Sequence, residues 1–300
     1  MSSNPQLLQY KPPTPEQIAA YRRDGFVRIT QALSPELVEG YRRSCTEVVR
    51  AADERRRRQL FLEDYNEVQR EAVVRALRLP AETDSSQVSD TYAQAFTQIT
   101  NLWRCSPAIR ELVFSPRLAQ MAAALMQVDA VRVYHDQALF KEAGGGHTPW
   151  HVDQFYWPLS SANTVTLWIP LQAVSMEMGP LVFAQGSHRS ARDSIACRLA
   201  ISDESETELA RLMADYPQPE APFEMGEVSF HSGWTCHRAG PNRTGATRAA
   251  FTIIYMDADN RMIEPEHRNH AIDAALWLPG VMPGEVAASA LNPQVYPPPD

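Results

Sequence analysis

The feature that most constrains the fold of this chain is a change of hydrophobic period near residue 130. Before it the pattern is helical. Thr14, Pro15 and Gln17 form a capping-box arrangement, with proline at the first helical position, where its missing N–H costs nothing. Ser34-Pro35 opens a second helix whose apolar positions Val38, Tyr41, Cys45, Val48, Val49 and Ala52 recur on one face. Ser106-Pro107 and Ser115-Pro116 open two more. After residue 130 the pattern alternates, in part over Val131–Phe140 and fully over Thr164–Leu171, where Val165, Leu167, Ile169 and Leu171 share a face. Further strands are predicted at Gly179–Phe183, Glu227–His231 and Arg248–Met256, between Gly, Pro and Asn turns. A helical block followed by many short strands predicts an α+β protein, a jelly roll with flanking helices that are mostly N-terminal. We expect one domain over 1–300, with 1–125 as helical support, 126–260 as the jelly-roll core and 261–300 as a C-terminal extension. Residues 80–92 read as a polar loop and the ending YPPPD as a loose tail.

Bulk properties exclude several classes. At 300 residues the chain buries enough surface to need neither disulfides nor a structural metal, so a metal site in it points to function. A net charge of −8 argues against nucleic acid and acidic membranes as partners, since both are polyanions. The basic run Arg55, Arg56, Arg57, Arg58 follows Asp53 and Glu54 in a helical pattern and reads as a solvated helix face. Cys45, Cys105, Cys197 and Cys236 lie far apart, which suits reduced thiols. The first residues have neither a basic start nor an apolar stretch, and no apolar run reaches about 18 residues, so a soluble cytoplasmic protein is expected.

The chemistry concentrates in Gly144-Gly-Gly-His-Thr-Pro-Trp-His151-Val-Asp153. On a strand beginning near Trp150, His151 and Asp153 point from the same side and can grip one ion. The third ligand must come from a distant strand, and His237 is the best placed candidate, with His231 as its competitor. Two imidazoles and one carboxylate on one face of an octahedron leave three positions open, which suits a non-haem Fe(II) that binds a co-substrate and O2 together. The far carboxylate of such a co-substrate needs an anchor, and the planar fork of arginine serves better than lysine. Arg248 lies eleven residues after His237, where a β-hairpin would bring it beside the metal.

An HxD spacing alone is weak, and its surroundings raise it. The segments Tyr134–Lys141, Thr148–Pro158, Leu167–Leu171, Gly179-Pro-Leu181, Gly186–Arg189, and His237 with Asn242 and Arg248 together resemble the phytanoyl-CoA dioxygenase family of Fe(II)- and 2-oxoglutarate-dependent oxygenases. Asp24-Gly-Phe-Val27 and Trp277-Leu-Pro-Gly280 extend the resemblance over nearly the whole chain. It implies a double-stranded β-helix core, iron on His151, Asp153 and His237, and the 2-oxoglutarate carboxylate on Arg248. It also implies Gln137, Trp168 and Gln98 as co-substrate contacts. Ala239 stands where relatives often carry serine. The implied reaction consumes 2-oxoglutarate and O2, with ascorbate as a supporting reductant, and hydroxylates a small organic molecule, with desaturation or cyclisation as variants. A specialised-metabolite intermediate is the expected substrate, and fatty acyl-CoA an alternative within the family. Outside the oxygenase class stand a cupin-like metal isomerase or hydrolase, in which the metal is only a Lewis acid, and a non-catalytic binding protein.

The remaining candidates carry plainer readings. His135 is expected to be packed and hydrogen-bonded within the barrel. His188 reads as a structural loop residue and His147 as a polar residue of a flexible loop. Cys236, beside His237, should face away from the metal. Phe155, Tyr156 and Trp157 serve equally as a substrate wall or as core packing.

Overall fold

The computed structural model describes residues 12–56, 97–191, 201 and 203–298. Arg57, Arg58, Cys197 and the loop expected at 80–92 lie outside the described residues. The chain begins with helix α1 (Pro15–Asp24), whose Thr14 cap and Gln17 reply form the expected capping box, and ends that helix on Gly25 in the left-handed region. Strand β1 (Phe26–Ile29) and helix α2 (Pro35–Arg56) follow. After β2 (Thr97–Thr100), the caps Ser106 and Ser115 each accept a backbone N–H and open α3 (Pro107–Val113) and α4 (Pro116–Met126). These are the starts that the Ser-Pro pairs predict.

Strands β3 (Val131–Lys141), β5 (Thr164–Pro170), β7 (Val228–Ser232) and β9 (Arg248–Asp257) form the middle of a large antiparallel sheet in the order β1-β7-β5-β9-β3-β10. Strands β2 and β10 (Gln294–Tyr296) share the outer edge of β3. The ending that reads as a loose tail therefore starts as an edge strand; three alternating residues before a proline run are too short to announce themselves. Facing this sheet is a small one, β4 (Thr148–His151), β8 (His237–Ala239) and β6 (Leu181–Phe183), in the order β4-β8-β6. Two antiparallel sheets face to face with helices outside are the jelly-roll arrangement the pattern implied.

The alternation along each strand of the large sheet divides it into two faces. Val165, Leu167 and Ile169 join Phe251, Ile253, Tyr255, Val228 and Phe230 in one cluster with Ile109, Leu112, Leu118 and Ala122 of α3 and α4. This is the helix-covered core. The opposite face carries His135, Gln137, Thr166, Trp168, His231, Arg248 and Thr252, and it looks toward the small sheet. One strand thus supplies apolar packing outside and polar chemistry inside. Helix α5 (Asp203–Met213) packs against β4, and α6 (Arg268–Trp277) closes one end of the gap between the sheets. Among the described residues no helix is long and apolar enough to cross a membrane.

Candidate metal centre and cavity

His151 is the last residue of β4, and Val152 stays extended, so Asp153 lands two residues on, at the start of a short 3-10 turn over Asp153–Tyr156. The pair is therefore set by a strand end and its exit turn, and not by one continuous strand as the spacing alone suggested. His237 opens β8 and lies directly opposite His151 in the small sheet. The Nε2 atoms of His151 and His237 are each 3.7 Å from Asp153 Oδ1. The three ligand atoms lie within 4.8 Å of one another, close enough to hold one ion.

Hydrogen bonding prepares both rings for a metal. His151 Nδ1 lies 2.8 Å from the Pro149 carbonyl and His237 Nδ1 lies 2.9 Å from the Thr235 carbonyl. A carbonyl oxygen only accepts, so each Nδ1 carries the proton and each Nε2 offers a lone pair inward. Burial, with His237 alongside, pushes His151 down to about 4, and burial pushes His237 down to about 4. Neither ring needs to lose a proton to bind a cation at neutral pH. Burial alone would raise Asp153, yet His237, the hydrogen bond and charge of His231, and His151 hold it well below the usual carboxylate range. Two neutral imidazoles and one carboxylate fit a divalent iron.

His231, the competitor for third ligand, has another task. Its Nε2 lies 3.2 Å from Asp153 Oδ2, and because the ionised carboxylate only accepts, that nitrogen holds a proton and cannot ligate. Thr166 donates to the same oxygen at 2.8 Å. Both outer donors sit at one level of the large sheet, where Thr166 pairs with His231 across β5 and β7. They fix the carboxylate so that Oδ1 faces the histidines. Thr166→Val keeps the shape of this side chain and removes its hydroxyl, so Mn(II) or Fe(II) affinity should fall by roughly 10-fold, the lower bound for loss of an outer partner, as read by titration calorimetry. Unchanged affinity would mean that His231 alone orients Asp153.

Further along the inner face the expected co-substrate residues come together. Thr252 pairs with Gln137 on one side and Trp168 on the other, so the three form a row across the sheet. Gln98, on the edge strand β2, donates from Nε2 to Gln137 Oε1 at 2.5 Å. Arg248 begins β9 in a buried position, with Nη1 3.0 Å from the Gly179 carbonyl and, among the described residues, no hydrogen-bond partner at Nε. Gly179 has a positive φ of 69°, and a Cβ there would collide with the Gly240 carbonyl, so only glycine brings this oxygen up to the guanidinium. Burial lowers Arg248 to about 10, which leaves it cationic at neutral pH.

Two expectations need correction. Arg248 does not reach the site through a hairpin with His237: β8 belongs to the small sheet and β9 to the large one, so the intervening turn crosses between sheets. Asn242 pins that crossing by donating from Nδ2 to the carbonyls of Lys141, Glu142 and Ala246. His135 is buried as expected, but it lines the cavity, and among the described residues its Nδ1 has no partner in hydrogen-bonding geometry. The plainer readings hold for His188, which is bonded to the Arg22 carbonyl, and for buried Cys236. Of the aromatic group, Tyr156 and Trp157 line the cavity while Phe155 stacks on His267.

Sequence reasoning missed two features. Lys141, fully buried beside Arg248 in the β3–β9 register, donates to the Gly240 carbonyl at 2.8 Å, and burial together with Arg248 pushes it down to about 6. Both influences disfavour its charged form, and Arg248 supplies the positive charge at that end. On α6, Asn269, Asp273 and Trp277 all line the cavity. Their four-residue spacing is the one stripe a helix turns toward a single neighbour, and that signal was present in the sequence. The whole space measures about 430 Å3, enough for a small co-substrate and a substrate side by side.

The comparisons with known proteins agree with this geometry. A family model for phytanoyl-CoA dioxygenase matches residues 21–250. The chain is 22% identical over 276 residues to phytanoyl-CoA dioxygenase domain-containing protein 1 of Danio rerio, covering 85% of this chain and 94% of that one. It is 24% identical over 164 residues to a probable alpha-ketoglutarate-dependent hypophosphite dioxygenase of Stutzerimonas stutzeri, over 51% of this chain and 54% of the other. Among solved structures, the carbocyclase SnoK from nogalamycin biosynthesis superposes with a TM-score of 0.67 at 23% identity, covering 94% of this chain and 96% of SnoK. EctD from S. alaskensis, with 2-oxoglutarate and 5-hydroxyectoine, gives 0.58 at 20% identity over 87% and 83%. With a family match that spans most of its length and a His-Asp-His cluster at the heart of its fold, the chain belongs to the phytanoyl-CoA dioxygenase family of Fe(II)- and 2-oxoglutarate-dependent dioxygenases.

Proposed function

We propose that this enzyme hydroxylates an unactivated carbon of a small organic molecule, with His151, Asp153 and His237 holding Fe(II) and Arg248 anchoring 2-oxoglutarate. Iron, 2-oxoglutarate and O2 together supply the oxidising power, with release of succinate and CO2. The observation that carries this reading is one cavity with two unmet needs. At its middle, two neutral histidines turn free Nε2 atoms toward an ionised carboxylate. At one end, a buried guanidinium lies 5.9 Å from the Trp168 ring and, among the described residues, has a carbonyl as its hydrogen-bond partner and no anion. A five-carbon diacid meets both, with one carboxylate in the fork of Arg248 and the keto acid at the metal. Gln137, Gln98 and Trp168 would line its length, and Ala239 leaves it one hydrogen bond poorer than a serine would.

The chain's own residues orient and dry the site. Thr166 and His231 aim Asp153, Trp168 closes the floor against Phe223 at 4.8 Å between rings, and Trp157 and Trp277 wall the other end. A specialised-metabolite intermediate is the substrate class we favour, on the aromatic lining of that end and on the similarity to a carbocyclase of nogalamycin biosynthesis. We further propose that 1–300 acts as one unit, since α3 and α4 back the sheet and α6 completes the cavity.

The test is succinate formation from 2-oxoglutarate by purified protein with Fe(II), ascorbate and O2, together with 2-oxoglutarate binding to the Mn(II)-loaded protein. Binding with slow uncoupled turnover is the expected result, because substrate is absent. Absence of both 2-oxoglutarate binding and turnover would overturn the reading.

A further inference from the structure

We propose that Asp273 is a substrate-recognition residue that receives an ammonium group, so that the enzyme acts on a molecule carrying a protonated amine. This rests on the oxygenase reading for the location of the reacting centre. Asp273 projects from the middle of α6 into the cavity, one turn from Asn269 and one from Trp277. Two donors hold it: the Tyr134 hydroxyl, 3.1 Å from Oδ2, and the Trp277 indole N–H. Among the described residues no lysine or arginine pairs with it, and no cation faces it from β3, where the neighbouring polar group is His135. His135, with its ring 5.0 Å from that of Trp277, is kept neutral by burial, which pushes it down to about 4.

The position of this carboxyl separates it from the co-substrate. Arg248 pairs with Lys141 across β3 and β9, while His135 lies six residues back along β3, roughly 20 Å at the rise of a strand. Thr166 and His231, which hold the carboxylate of the metal cluster, share one level of the sheet with His135 through Ile254, so the cluster lies across the sheet from His135 and both are removed along the strands from Arg248. The cavity is thus cationic at one pole and acidic at the other. A molecule held at the acidic pole would present its adjacent carbons to the metal from across the sheet.

The surroundings of Asp273 select a cation over other partners. Trp157, Trp277 and Tyr156 line the same part of the cavity, and Tyr134 lies 5.7 Å from Trp157 between ring centroids. Aromatic rings beside a single carboxylate are an arrangement that binds alkylammonium groups, whose charge is shared between the anion and the rings. Both donors already on Asp273 leave further lone pairs to accept an N–H. Burial raises the Asp273 carboxyl well above its ordinary range, and an arriving cation would reverse that. No anion or uncharged guest gives this carboxyl an opposite charge.

The test compares benzylammonium with benzyl alcohol, its uncharged shape match, on the Mn(II)- and 2-oxoglutarate-loaded protein, read by calorimetry and tryptophan fluorescence. The cation should bind at least about tenfold more tightly, and Asp273→Asn should erase that preference while 2-oxoglutarate binding stays as in the wild type. Equal binding of the two probes, tighter binding of the alcohol, or a preference that survives in Asp273→Asn would each overturn the proposal. The wild-type comparison decides even if the variant fails to fold. Loss of 2-oxoglutarate binding in the wild type would instead count against the oxygenase reading, leaving the probe preference to judge Asp273 separately.

Discussion

Replacing Asp153 by alanine should lower divalent-metal affinity by more than about 100-fold and abolish succinate formation, a larger loss than any outer partner of the metal produces. Asp153 is the one anion of the cluster, and two neutral imidazoles without it offer a divalent cation no charge neutralisation. The substitution also disturbs the protein itself. Thr166 and the buried His231 both donate to Asp153 Oδ2, so both lose their acceptor at once. A buried donor left unpaired costs about 1–3 kcal/mol, and the thermal midpoint of the metal-free protein should fall accordingly. Asp153→Asn separates the two effects. Its amide oxygen still accepts from one of these donors, so stability should recover in part while metal affinity does not. The decisive comparison is Mn(II) titration of Asp153→Ala, Asp153→Asn and His231→Ala. If the first bound metal normally and the last did not, the ligand would be His231 and the proton assigned to its Nε2 would be wrong.

How much of this could be read without coordinates depends on how local each signal is. His151 and Asp153 were legible because two residues of extended chain fix their separation whatever the rest of the fold does. The Ser-Pro helix starts were legible for the same reason. The division of Thr164–Pro170 into an outer apolar face and an inner polar one also followed from alternation, although every residue of that strand is buried. His237 and Arg248 are different. Nothing local ties them to residue 151, and only the ordered set of motifs pointed to them. The inference that a hairpin joins them failed because chain proximity does not say which of two sheets a strand enters. Lys141 was illegible since a lysine in a strand normally marks an edge or a surface; here the carbonyl of Gly240 and the hydroxyl of Thr148 take its amine inside. The stripe of Asn269, Asp273 and Trp277 was legible in principle. A polar pair and one tryptophan at helical spacing look like an exposed helix until the cavity they face is known.

Arg248 should produce the second large effect. In Arg248→Leu the dissociation constant of 2-oxoglutarate should rise by about 30-fold to more than 1,000-fold, the range that follows from losing one partner of a buried, hydrogen-bonded charge pair at about 2–5 kcal/mol. Metal affinity should not change, because Arg248 touches none of the three ligands. Arg248→Lys should fall between the two. It keeps a charge but loses the planar fork, and a second amine would stand beside Lys141, already pushed down to about 6 by burial and by Arg248. A test on the protein without 2-oxoglutarate distinguishes binding from architecture. Arg248 is 2% exposed, with a carbonyl at 3.0 Å and, among the described residues, no partner at Nε, so without co-substrate it is a buried cation lacking an anion. Leucine removes that desolvated charge, and the empty variant should melt at the same temperature as the wild type or higher. Adding 2-oxoglutarate should then stabilise the wild type and leave the variant unmoved. A variant that melts well below the wild type in both conditions would make Arg248 a structural residue, held for its bond to Gly179, and the anchor for the co-substrate would have to be sought elsewhere in the cavity.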